Sequence, residues 1–268
     1  MCLVLLLHDA HPDYRLILAA NRDEFYDRPT LPAELWPDAP GLLAGRDLRA
    51  GGTWLGIDRT GRFAAVTNYR QGQREPAAVR SRGHLVSDYL LGRLSPRAHM
   101  AQVERDAKQY NGFNLIAGDA EEVVYFSNRE GVTRVLPPGV YGLSNHLLDT
   151  PWPKVTAGKV ALGALVGETA APRLMEELFA LLSDRNRPAD DLLPETGIGR
   201  EWERLLSSAF IASPDYGTRS STVILVSRDG RTAFGERRFG PDGTPAGEAH
   251  FEPAPAPYSL GAPKPSSA

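Results

Sequence analysis

The chain has 268 residues, 42% of them hydrophobic and 24% charged, with a formal net charge of −3. This length can bury a proper core, the composition excludes a disordered chain, and the charge gives no reason to expect a nucleic-acid partner. A single cysteine excludes internal disulfides and zinc–thiolate clusters, which fits a cytoplasmic protein, and 26 arginines against 4 lysines fit a GC-rich, bacterial-type genome.

That cysteine is Cys2, directly behind Met1. Residues 2–7 are apolar and end at His8 and Asp9, so they predict a buried strand. They do not read as a signal peptide, because no basic leader precedes them and no small-residue cleavage site follows. No apolar run approaches bilayer length, so no transmembrane segment is expected. Removal of Met1 would leave Cys2 with a thiol of reference pKa ~8.5 and an α-amine of ~7.7–8.0. One residue would then carry both nucleophile and base. The plainer alternative is a small apolar residue that opens a strand.

Residues 14–20 predict a second strand, antiparallel to the first, with Asn21-Arg22-Asp23-Glu24 at its end. Residues 27–50 are rich in proline and glycine and predict an irregular excursion. Residues 53–57 and 62–67 predict two short strands around a turn at residues 58–61. Ser81 and Ser95-Pro96 open predicted helices. Residues 113–117, 122–126 and 132–136 predict a three-stranded meander. Residues 153–166, 172–183 and 199–210 predict helices, and residues 221–227 and 231–239 predict a closing hairpin. The expected domain spans residues 1–251. Residues 252–268 are mostly Pro, Ala and Ser and predict a disordered tail. This order of strands and helices predicts an α+β fold with two stacked antiparallel sheets covered by helices. No metal-ligand spacing or phosphate-binding glycine motif is present.

The string Ala20-Asn21-Arg22-Asp23-Glu24-Phe25 resembles the signature of the NRDE family, whose eukaryotic members are the transport-and-Golgi-organisation-two proteins. Further blocks match in family order: Met1-Cys2, Gly51-Gly52-Thr53-Trp54-Leu55-Gly56, Thr67-Asn68-Tyr69, Tyr110 to Leu115, Tyr141-Gly142-Leu143-Ser144-Asn145, Thr150-Pro151-Trp152 and Gly217-Thr218-Arg219. The family is similar to the N-terminal-nucleophile hydrolases, especially penicillin V acylases and bile-salt hydrolases. The resemblance implies a four-layer αββα sandwich with Cys2 as nucleophile, acting on an amide, ester or thioester. It implies Asp23 beside the α-amine, Asn145 as a donor to an oxyanion, and Arg219 near the nucleophile. Asn68 has the side-chain donors for the same task, and the alternative is an asparagine that simply occupies a turn.

Asn21, Arg22, Glu24, Trp54 and Tyr69 are further candidates for ligand contact. Arg22 does not fall where the acylases place their arginine, and strand alternation predicts that Arg22 and Asp23 do not share one cavity wall. Arg59, Arg62, Arg70, Arg74, Arg80 and Arg82 crowd one segment and are read as a solvated arginine-rich loop. The resemblance also implies an alternative: a carrier for a small amphipathic molecule such as acyl-CoA, lipid or haem. No cofactor is expected to be required, and haem enters only as a ligand.

Overall fold

A computed structural model describes residues 2–72, 79–167 and 170–252. Arg74 and residues 253–268 of the predicted disordered tail therefore lie outside the described residues. The chain runs β1 (Cys2–His8), β2 (Tyr14–Phe25), β3 (Thr30–Leu35), β4 (Leu42–Asp47), β5 (Leu55–Asp58), β6 (Phe63–Asn68), α1 (Gly83–Leu91) and α2 (Pro96–Asp106). It continues through β7 (Phe113–Gly118), β8 (Val123–Ser127), β9 (Val132–Leu136), β10 (Gly139–Leu143), α3 (Pro153–Ala164), α4 (Ala171–Leu182) and α5 (Arg200–Leu205). It closes with β11 (Tyr216–Ser227), β12 (Thr232–Phe239) and β13 (Pro245–Phe251).

Two antiparallel sheets result, ordered β10-β1-β2-β11-β12-β13 and β3-β4-β5-β6-β7-β8-β9. Strand alternation gives each sheet two apolar faces. Val4, Leu6, Leu16, Leu18 and Ile224 of the first sheet meet Ile57, Phe63, Ile116 and Tyr125 of the second. On its other face, Leu3, Leu5, Ile17 and Val223 pack under Val155 of α3 and Leu178 of α4. Ala64, Leu115 and Phe126 likewise pack under Val86 of α1 and Met100 of α2. The layers are therefore helix, sheet, sheet, helix, the expected αββα order.

Residues 27–50 are not irregular. They form β3 and β4, and Pro32 is tolerated because β3 is an edge strand whose pairing shifts register between Leu31 and Glu34. The edge strands β10 and β13 are also additional to the sequence prediction, and the helix predicted at 199–210 shrinks to the six residues of α5. Strand β2 runs on to Phe25, so Asn21 to Glu24 lie within a strand rather than beyond its end.

Asn21, expected as a ligand contact, does not line the cavity around Cys2. Its position in β2 turns it to the α3–α4 side, where Nδ2 donates to the carbonyls of Leu182 and Ala209, both at 2.8 Å. Ser221 Oγ donates to its Oδ1 at 2.6 Å. Asn21 thereby satisfies the last carbonyl of α4 and ties that helix to the sheet. Asn21→Ala leaves these buried carbonyls without their donor and is expected to cost at least ~2 kcal/mol in urea unfolding, with no change in the cavity around Cys2.

Candidate active site

Cys2 opens β1 and stands directly opposite Arg22 of β2. Paired residues share a face, so both look between the sheets. The half-buried Cys2 lines a cavity of about 100 Å³ with Arg22, Glu24, Trp54, Asn68 and Arg82. The Arg22 guanidinium lies over the Trp54 ring, 4.2 Å from its centroid. Asp23 also reaches this cavity. Arg22 and Asp23 thus share the wall, contrary to the expectation from alternation. The cavity sits where β2 runs past the first residue of β1, and there both faces of the strand are reachable.

Asp23 is 1% exposed. Its Oδ1 accepts from Thr218 Oγ1 of β11 at 2.7 Å, and its carbonyl accepts from Tyr216 Oη at 3.1 Å. Burial pushes its carboxyl up, while Lys154, Thr218 and Arg70 pull it back. Burial also raises the Cys2 thiol; Asp23 adds to this and Arg22 opposes it. A thiol held in its protonated form requires a base before it can attack.

Lys154 carries no signal in the sequence, because a lysine near a helix start reads as a surface residue. Here it is buried at the head of α3, with Nζ donating to the carbonyl of Leu206 at 2.9 Å and of Ser208 at 3.4 Å. Burial lowers it to about 8, against the raising influence of Asp23. Arg70 is equally unlike a solvated loop residue. It pairs with buried Glu203 at 2.6 Å and lies 4.5 Å over the Trp152 ring. Arg82 faces the Cys2 cavity and donates to the Gly112 carbonyl at 3.1 Å. Arg62 and Arg80 are spent on carbonyls of Tyr89, Gly92 and Leu94 and on Asp88 and Asp106, while Arg59 is exposed. Arg28 and Asp47, also absent from the sequence reading, line the cavity as a pair at 2.5 Å.

Asn68 and Asn145 differ in placement. Asn68 lines the cavity with Cys2. Asn145 is fully buried behind it, and its Nδ2 donates to the Asn68 carbonyl at 2.9 Å. Ser144 Oγ donates to the Cys2 carbonyl at 3.1 Å. Tyr69 is not in the cavity wall; its hydroxyl is 2.7 Å from His146 Nε2, and His146 Nδ1 is 2.9 Å from Thr150 Oγ1.

Arg219 is displaced from Cys2. Register shifts between Thr218 and Ser220 against β2, so Arg219 is an extra residue in a bulge. Its Nη1 donates to the carbonyls of Phe25 at 2.8 Å and Arg28 at 3.0 Å. Arg22 is instead the arginine beside Cys2. Glu24 reaches the cavity, with Oε1 accepting from the Phe25 N–H at 2.9 Å. No group of metal-binding side chains occurs among the described residues.

Comparison with known proteins follows these same strands. The family described as Transport and Golgi organisation 2 matches residues 1–241. The chain belongs to that family. The Transport and Golgi organization protein 2 homolog of Bos taurus is 43% identical over 257 residues, covering 88% of this chain and 92% of that one. The Homo sapiens homolog is 41% identical over 258 residues, with the same coverage. The Drosophila melanogaster protein is 32% identical over 260 residues, covering 87% and 90%. Among solved structures, a mutant conjugated bile acid hydrolase from Clostridium perfringens aligns with TM-score 0.49 and 8% identity over 94% of this chain and 92% of its own. A Caenorhabditis elegans orthologue of N-acylethanolamine-hydrolyzing acid amidase aligns with TM-score 0.46 and 10% identity over 84% and 92%.

In this family member no helix among the described residues is long and apolar enough to cross a membrane. The buried Lys154 gives the site a pH dependence of stability. Its folded pKa of about 8 lies below the unfolded value of ~10.4, so between these values the unfolded chain binds more protons. Stability therefore gains a contribution as pH rises from 8 towards 10. Urea unfolding of the wild-type protein and Lys154→Met at pH 8 and pH 10 should show that only the wild type has this gain.

Proposed function

We propose that this protein is a cysteine hydrolase or acyltransferase that acts on an amide, ester or thioester. The observation that supports this reading is Cys2 at the start of β1, opening into a cavity walled by Arg22, Asp23 and Asn68. Once Met1 is removed, the α-amine of Cys2 takes the thiol proton. The thiolate forms a C–S bond with the substrate carbonyl carbon. The side-chain amide of Asn68 donates to the carbonyl oxygen as it becomes negative. The ammonium then returns the proton to the departing amine, alcohol or thiol, leaving a thioester on Cys2. Water attacks that thioester, the C–S bond breaks, and the thiol is restored. Asp23 holds the ammonium form of the α-amine by charge, with Thr218 and Lys154 fixing the carboxylate.

A carrier reading competes, because Arg22, Arg28 and Arg82 around the same cavity suit an anionic ligand such as acyl-CoA or a haem propionate. The two readings part at Cys2. Incubation with amide, ester and thioester acyl donors, followed by peptide mass spectrometry, is expected to place an acyl group on Cys2. Asp23→Asn is expected to slow acylation by ~10²-fold or more. Absence of any adduct across amide, ester and thioester donors, with saturable haem binding in the Soret region, gives the carrier instead.

A further inference from the structure

The Arg22–Trp54 stack has a second side. Beyond it lies a separate cavity of about 130 Å³, also lined by Arg22 and Trp54 and closed by Arg219, Ser220, Glu236 and Arg238. Three donors on these residues are buried and have no hydrogen-bond partner among the described residues: Arg22 Nη1, Ser220 Oγ and Arg238 Nε. Ser220 is 4% exposed and Arg22 is 6% exposed, so water does not substitute freely. Buried donors are almost always paired, and three unpaired ones around a single space point to a missing acceptor.

The charges agree with the donors. Three arginines face one acid. That acid, Glu236, already accepts the Ala33 N–H at 2.9 Å, and its Oε1 is 4.0 Å from Arg238 Nε. Burial favours its neutral form, which leaves the arginine charge still less compensated. Arg219 spends Nη1 on backbone carbonyls, which carry no charge to offset it.

We propose that this second cavity is an oxyanion-binding site for the phosphate or carboxylate group of a ligand. A guanidinium from each side and a hydroxyl between them match an acceptor with several oxygens. Arg22 touches both cavities, so a ligand anchored here directs its remainder past Trp54 towards Cys2. That direction rests on the acyl-transfer reading above, whereas the anion site itself does not.

Calorimetric titration at low ionic strength with inorganic phosphate and with acetate, against chloride, tests this. One or both oxyanions should bind saturably, and the one that binds identifies the group. Ser220→Ala and Arg238→Gln should each weaken binding about tenfold or more, while Cys2→Ala leaves it unchanged. Ser220→Ala removes a hydroxyl that has no hydrogen-bond partner among the described residues, so its fold should persist by near-UV circular dichroism. No saturable binding, or binding that both variants leave intact, overturns the proposal. An acyl adduct on Cys2 without anion binding overturns the anion site alone; anion binding without an adduct leaves the site standing and removes the hydrolase.

Discussion

The pairing of Cys2 with Arg22 in the β1–β2 ladder is the constraint on which the site depends. A strand has period two, so this register alone assigns Cys2 and Arg22 to the space between the sheets and Asn21 to the helical layer. A slip of one residue would exchange these faces and place Asn21 beside the thiol. Leu3, Leu5 and Leu7 on one face and Val4 and Leu6 on the other hold the register, because both faces are buried in separate cores. The energetics of the fold and the geometry of the site are thus one property.

A second set of bonds joins the two sheets beside Cys2. Thr67 Oγ1 donates to the Ser144 carbonyl at 2.7 Å, and the Arg70 N–H donates to the Asn145 carbonyl at 2.6 Å. Asn114 Nδ2 donates to Thr67 Oγ1 at 3.1 Å and to the His146 carbonyl at 2.9 Å. Sequence blocks that lie far apart in the chain meet here. They close the end of the sandwich and present Asn68 to the cavity, with Asn145 acting from behind. The buried Arg70–Glu203 pair extends the tie to α5, whose six residues are too few to hold their place alone.

Much of this was legible in the sequence, for identifiable reasons. Central strands such as 2–7 and 221–227 announce themselves as apolar runs, and α2 by its Ser95-Pro96 start, where Ser95 Oγ caps the Ala98 N–H. Edge strands β3, β10 and β13 carry proline or glycine, which local pattern alone reads as loop. The Asn-Arg-Asp-Glu string marks β2, but which way each of its side chains faces needed the register. Arg219 departed from expectation because a single-residue bulge leaves no local mark. Lys154 and Glu203 stayed hidden because burial of a charge is a tertiary fact, and Arg82 and Arg70 were masked by the many arginines around them.

The site combines costly elements that ordinary packing does not require: buried Asp23 and Lys154, a buried arginine on a tryptophan, and a thiol raised by burial. On the acyl-transfer proposal, they surround a nucleophile that brings its own base. The deciding measurement is the intact mass of the protein isolated from its native host. The account predicts a mass lacking Met1, with Cys2 as the first residue and a free α-amine. A protein that keeps Met1 contradicts it, because the amine beside Asp23 would then belong to methionine and the thiol would have no base of its own.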